Sequence, residues 1–145
     1  MRVAVIRSGL VLDPEAGLMK QLLPPFRLGL GGPIAGGQQY MPWIHVADWV
    51  RLVLWLADGG DREGAYNGTA PNPVTNAEFS KTLGSVLNRP AVVPVPKLAM
   101  KARFGAELGE VLTGGQRAIP RRALDGGFEF AHPELEPALK NLLTR

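Results

Sequence analysis

His45 and His132 are the chain's two imidazoles, and it has no cysteine. Nucleophilic catalysis of the Ser-His-Asp kind would have to bring Ser8, Ser80 or Ser85 to one of them. No Gly-x-Ser-x-Gly elbow is present to expose such a hydroxyl. Zinc chemistry has as little support, because neither thiolates nor a His-x-x-x-His spacing occurs. His45 lies between Ile44 and Val46 in a short apolar run. In a strand its side chain opposes those of its neighbours, so it either reaches a cleft or fixes the following helix by a hydrogen bond. His132 precedes a proline at a turn and reads as structural. No catalytic residue and no metal ligand is assigned.

Phosphate binding is the next chemistry to test. Gly29 to Gly37 is glycine-rich, but Gln38-Gln39 stands where a P-loop needs Lys-Ser/Thr. The dinucleotide fingerprint also fails, since Ile34 takes the third glycine's place and a proline intervenes. A flexible loop over a pocket is the expected reading. More promising are the exits of two apolar runs, Arg7-Ser8-Gly9-Leu10 and Asn67-Gly68-Thr69. Ligands in open parallel sheets lie beyond the carboxyl ends of the strands, which is where both would sit.

The elements that would position these residues read as α/β. Residues 2–7 form a continuous apolar run flanked by arginines, expected to be a parallel strand buried on both faces. Residues 15–28 have helical spacing that should end at Pro24-Pro25. A strand over 43–46 leads to a helix over 48–58, with Asp48 as its N-cap and Val50, Val53, Leu54 and Ala57 inward. Residues 65–67 read as a second short parallel strand. Thr75-Asn76-Ala77-Glu78 is a capping box opening a helix to about Leu87. After an extended 91–95 come helices near 97–104, 106–113, 120–125 and 134–143, with a short strand at 128–130. Alternating strands and helices argue for parallel pairing, and the last third becomes mostly helical.

A chain of 145 residues has room for one ordinary domain. The net charge of +3 is small and dispersed apart from Arg117, Arg121 and Arg122, so no nucleic-acid partner is expected. No apolar run approaches the roughly 20 residues of a spanning helix, so no membrane partner is expected. Absence of cysteine fits a cytoplasmic location.

Several motifs form one ordered series: Arg7 to Leu12, Gly31-Gly32-Pro33, Gly36 to Gln39, Trp43 to Val46, Tyr66 to Phe79, and Asn88-Arg89-Pro90. Gly114 to Arg117, Pro120 and Gly126 to Phe130 complete it. Together they resemble the C-terminal half of atypical short-chain dehydrogenase/reductases, the epimerase family proteins. These are NAD-dependent epimerase/dehydratase-like or nucleoside-diphosphate-sugar epimerase-like and end in a domain of unknown function, matched here by about 94–141. The resemblance implies an α/β fold class: the C-terminal part of a Rossmann-type extended short-chain dehydrogenase/reductase fold, with a mostly helical small lobe. Residues 1–93 would hold the last strands of the sheet and part of the substrate lobe, and 94–145 the small helical domain.

The resemblance also implies an NADP or NAD cofactor. Arg7, Ser8, Gly9 and Leu10 would approach its nicotinamide end, while Gln39, Trp43 and His45 would line the side of an unidentified small-molecule substrate. The family's nucleotide loop, first five strands and Tyr-x-x-x-Lys pair would all fall before Met1, and the group generally lacks that pair. No acid or base therefore carries over. Nucleotide-sugar epimerases commonly place a diphosphate-binding arginine where this chain has Met41. The expected function is the substrate-lobe portion of an NAD(P)-dependent epimerase or oxidoreductase, inactive alone. The alternative is a stand-alone, non-catalytic module that binds a protein or small ligand. Either way the edge strand 3–6 is expected to recruit an N-terminal half or a second copy, and that half should cover part of Trp43, Trp49 and Trp55.

Overall fold

Strand β1 (Ala4–Ser8) pairs in parallel with β5 (Gly64–Gly68), Ala4 opposite Gly64 and Ser8 opposite Gly68. The computed structural model describes residues 2–113, 115 and 117–144, with backbone alone at 104 and 107–113. Gly114 and Gln116 of the Gly-Gly-Gln-Arg motif lie outside the described residues. The apolar run is not buried on both faces. Ala4 and Ile6 pack against a small cluster of Leu52, Leu56, Tyr66, Ala123 and Phe128. Val3 and Val5 are about half exposed, at 53% and 52%. The cause is that this sheet has two strands among the described residues, and no described layer covers its second face.

Beyond Gly9 the chain re-enters a strand instead of leaving the sheet region. β2 (Leu10–Leu12) pairs in parallel with β4 (Trp43–His45), and β3 (Tyr40–Met41) pairs antiparallel with β6 (Val74–Thr75). The switch at Gly9 needs glycine, because a Cβ there would lie 2.7 Å from the Pro42 carbonyl oxygen.

Helix α1 (Gly17–Arg27) buries Met19, Leu22, Leu23 and Phe26 and continues through Pro24 and Pro25. Each proline removes a helical N–H, so two carbonyls upstream lose their donors. The Gln21 carbonyl regains one from Arg103 Nη2 at 3.2 Å. Phe26 inserts into the core, so packing and a remote arginine together carry the helix past its breakers.

The glycine-rich segment after α1 is pinned against an extended stretch. Val93 N–H donates to the Gly31 carbonyl, Val95 N–H to Pro33, and Ala35 N–H to Val95. At Gly32 a Cβ would fall 1.9 Å from the Val93 carbonyl oxygen, so backbone approach explains that glycine. This packed ribbon replaces the expected flexible loop.

Helix α2 (Val46–Ala57) starts two residues before the expected position. Its N-cap is His45, whose Nδ1 accepts from Ala47 N–H at 3.0 Å. Asp48 sits inside the first turn, fully buried. The inward residues are Leu52 and Leu56, while Val50 and Leu54 are exposed. Apolar residues surround this helix, so periodicity alone selects no face.

Helix α3 (Asn76–Leu87) carries the expected capping box: Thr75 Oγ1 accepts from Glu78 N–H at 3.2 Å and Glu78 Oε2 from Thr75 N–H at 2.8 Å. Asn88 closes it in the left-handed region at φ 55°. Thr75→Ala should lower the unfolding free energy by about 1 kcal/mol in urea titrations, with little change in the slope.

Helix α4 (Lys97–Thr113) bends at Gly105, whose φ of 85° separates its two halves as the sequence suggests. α5 (Arg121–Asp125) and α6 (Leu135–Leu143) follow. Residues 128–130 form no strand. Phe128 enters the second cluster edge-on to Trp55, and the next backbone donors go to a side chain. The main core joins Leu12, Met19, Leu23, Trp43, Phe79 and Leu83 to Met100, Leu139 and Leu142, drawing from both sides of residue 94. Trp43 is 1% exposed within this chain alone, so it needs no further cover.

Candidate functional site at the carboxyl ends of the parallel strands

The carboxyl ends of β1 and β5 bring Arg7, Ser8, Gly9, Asn67, Gly68 and Thr69 together. Parallel pairing of two short strands forces this, since both exits then lie on one edge. Arg7 and Ser8 are exposed, and Ser8 Oγ accepts the Trp49 indole N–H at 2.8 Å. Gly9 N–H donates to the Gly68 carbonyl at 3.1 Å, and Leu10 N–H to Pro42 at 2.7 Å. The backbone donors of Gly9 and Leu10 are thus engaged within the fold. What this edge offers a ligand is the Arg7 cation and the Ser8 hydroxyl.

Asn67 Nδ2 donates to the Ile119 carbonyl at 3.1 Å, tying the β5 exit to the segment before α5. Thr69 Oγ1 is buried without a hydrogen-bond partner among the described residues. Thr69 Cγ2 lies 3.0 Å from where a Cβ on Gly9 would stand. These contacts make a stiff wall. Among the described residues no glycine-rich turn links a strand directly to a helix, so the pyrophosphate cradle of a dinucleotide is not supplied here.

The three residues read as lining the substrate side are each engaged within the fold. Trp43 is in the main core, its Nε1 donating to the Asn72 carbonyl at 3.3 Å. Gln39 is half-buried, with Nε2 donating to the Ile34 carbonyl at 2.8 Å. His45 lies at the far end of β4 and is 1% exposed. Because its Nδ1 accepts from Ala47 N–H, the proton sits on Nε2, which donates to Asn141 Oδ1 at 2.9 Å. Its ring stacks on His132 at 3.7 Å between centroids. Both nitrogens are therefore occupied in fixing α2 and α6.

Met41 is buried, and its thioether accepts from Asn76 Nδ2 at 2.8 Å. Asn76 Oδ1 accepts from Ile34 N–H at 2.6 Å. This node locks the 31–41 segment onto α3, and it has no charge with which to pair an anion.

Asp48 is the residue whose importance the sequence concealed. Its carboxylate accepts from Arg51 Nη1 at 2.9 Å, Ala131 N–H at 2.9 Å and His132 N–H at 2.8 Å. The donors from 131 and 132 clamp the C-terminal segment to the first turn of α2, where a negative charge also complements the helix dipole. Its acid at N3 was visible as a helix-start signal, but its partners 83 and 84 residues away were not.

Among the described residues no group of three or more acids and histidines could hold a metal ion. No described helix is long and apolar enough to cross a membrane.

Residues 95–142 match a domain of unknown function, DUF1731. The human "Epimerase family protein SDR39U1" is 44% identical over 143 residues, 99% of this chain and 49% of the human protein. A crystal structure of that human protein with NADPH superposes with a TM-score of 0.94 at 43% identity, covering 100% of this chain and 49% of the other. A nucleoside-diphosphate sugar epimerase from Corynebacterium glutamicum superposes with a TM-score of 0.73 at 27% identity, covering 98% of this chain and 26% of that one. The chain spans about half the length of the curated relatives it matches. Its paired parallel strands and flanking helices are a C-terminal portion of the Rossmann-type fold of short-chain dehydrogenase/reductase epimerases. The chain corresponds to the C-terminal part of the epimerase family proteins, an atypical short-chain dehydrogenase/reductase group.

Proposed function

We propose that this chain supplies the substrate lobe and one wall of the cofactor cleft of an NAD(P)-dependent epimerase or oxidoreductase unit. An N-terminal half of the kind its relatives carry completes that unit. The observation that carries the reading is β1 itself. It has a partner strand on one edge only among the described residues, and Val3 and Val5 stand half exposed on one face. A hollow of about 290 Å3 between β1 and α2, lined by Arg2 with Ala4, Ile6, Val53, Leu56 and Ala57, adds further, mostly apolar surface for a docked layer. The family likeness supports the same reading.

The cofactor, when bound, supplies hydride exchange. This chain's residues bind and orient. Arg7 contributes positive charge at the end of β1, and the Trp49 indole holds the Ser8 hydroxyl in place. Gly9 permits the close crossing with Pro42 that sets this edge. Trp43 and His45 act indirectly, by holding β4 and the start of α2. A neutral Met41 on Asn76 argues for a substrate that does not pair a diphosphate at that position.

The test joins this chain to the N-terminal half of a relative and titrates NADPH, following its fluorescence. The joined protein should enhance and blue-shift the emission, and the chain alone should not. In the joined protein Arg7→Ala should weaken binding by about tenfold, the size of one charge-assisted contact. A folded joined protein without NADPH or NADH binding would refute the proposal.

A further inference from the structure

The chain's two imidazoles meet where β4 runs into α2 and the segment before α6 crosses them. Their rings lie parallel, 3.7 Å apart between centroids and 10° between planes. His45 is 1% exposed and caps α2, its Nδ1 accepting from Ala47 N–H at 3.0 Å. Its Nε2 donates to Asn141 Oδ1 on α6 at 2.9 Å, and the Asp48 carboxylate takes the N–H groups of Ala131 and His132. One ring thus ties the start of α2 to a residue 96 positions on, and the stack seats it against the 131–132 clamp.

This arrangement accepts one protonation state of His45. A second proton would go to Nδ1, which would then point a donor at the Ala47 donor. It would also place a cation at the N-terminal end of α2, where the helix dipole opposes it. The ring relieves this only by turning, and a turn takes Nε2 off Asn141 and the ring face off His132. The charged groups on the elements packed around it are engaged elsewhere. On α2, the Asp48 carboxylate is held by Arg51 Nη1 and the two amides. Glu134, ahead of α6, accepts from Asn72 Nδ2 at 2.7 Å, and Lys140 and Glu136 of α6 pair with each other at 2.7 Å. On β2 the residue paired with His45 is Leu12, and Asp13 after it accepts from Glu15 N–H at 3.0 Å.

We propose that His45 and His132 form an acid-released latch between the first turn of α2 and the segment leading into α6. The proposal is independent of cofactor binding. The open form takes up a proton at His45 near the ordinary imidazole value of about 6.5, and the closed form holds the ring neutral. The open form therefore binds more protons, so the closed latch is stable above about pH 6.5 and is lost as the pH falls. Leu135, Ala138, Leu139 and Leu142 of α6 stay in the main core and keep the opening local.

The latch is tested by amide exchange in the whole chain, read as protection factors at Ala47, Ala131 and His132 against Phe79 and Leu83 in α3. Protection at the first three should fall about tenfold from about pH 7.5 to about pH 5.5, the effect of one proton, while α3 stays protected. His45→Asn keeps a capping oxygen that does not titrate and should abolish the fall. His132→Phe keeps a stacked ring and the backbone N–H to Asp48, and should retain it. In the unsubstituted chain, imidazole nitrogen NMR should find the closed-form His45 proton on Nε2 alone, still so at about pH 6. A flat wild-type profile or a fall shared equally by α3 would overturn the proposal. So would an undiminished fall in His45→Asn, loss of the fall in His132→Phe, or a doubly protonated His45 in the closed form.

Discussion

Replacing Asp48 with alanine is expected to lower the unfolding free energy by about 2–3 kcal/mol, a large share of a small domain's stability. The size follows from what remains. Asp48 is fully buried, and its loss leaves the N–H groups of Ala131 and His132 without acceptors. Ala131 is exposed and His132 part-buried, so each orphaned donor costs toward the lower end of about 1–3 kcal/mol. Arg51 is about half exposed and can turn to water, so it adds little. The damage should also be local before it is global. Amide exchange at 131 and 132 should rise ahead of exchange in α3, because the clamp joins the C-terminal segment to α2. Asp48→Asn keeps one acceptor oxygen and should fall between wild type and alanine. Equal losses for both variants, with no selective exchange at 131 and 132, would show that the carboxylate does not act as a clamp.

Trp43→Ala should cost about 3–5 kcal/mol for a different reason. The indole is among the largest fully buried side chains and lies in the cluster that holds Leu12, Met19, Phe79 and Leu139. Removing it opens a cavity bounded by strands β2 and β4 and helices α1, α3 and α6, which cannot all move inward together. Urea titration should show an earlier midpoint, or a chain already unfolded in buffer. Trp49 is half-buried, and its indole donates to the Ser8 hydroxyl. Trp49→Phe should cost no more than about 1–2 kcal/mol. A milder effect at Trp43 than at Trp49 would contradict this placement of the core.

How far the sequence could be read depended on the range of the interactions involved. The capping box at Thr75 and Glu78 was legible because both partners lie within one turn. The break in α4 was legible because Gly105 is a local choice. The course of α1 was not, since the donor that rescues the Gln21 carbonyl comes from residue 103. His45 fixes the start of α2 by a hydrogen bond, one of the two roles its position offered, but the N-cap falls on it and not on Asp48. Capping depends on where the helix begins, and the ligands of Asp48 come from the far end of the chain. The inward face of α2 was hidden by its own composition, with apolar residues on every side. The run at 3–6 reads as fully buried from its residues, yet half of it is exposed among the described elements. At the strand exits, the chemistry-bearing types were visible in sequence. That Gly9 and Leu10 give their N–H groups to Gly68 and Pro42 required the fold.

Completion of β1 by a preceding half is read out by amide hydrogen exchange along β1. Gly64 N–H donates to the Val3 carbonyl and Gly9 N–H to the Gly68 carbonyl, so the odd-numbered residues face β5. The N–H groups of Ala4, Ile6 and Ser8 then point to the open edge. In the chain alone these three should exchange fast while Val5 and Arg7 exchange slowly. In the protein joined to an N-terminal half, all five should be protected. Continued fast exchange at Ala4, Ile6 and Ser8 in a folded joined protein would contradict the account.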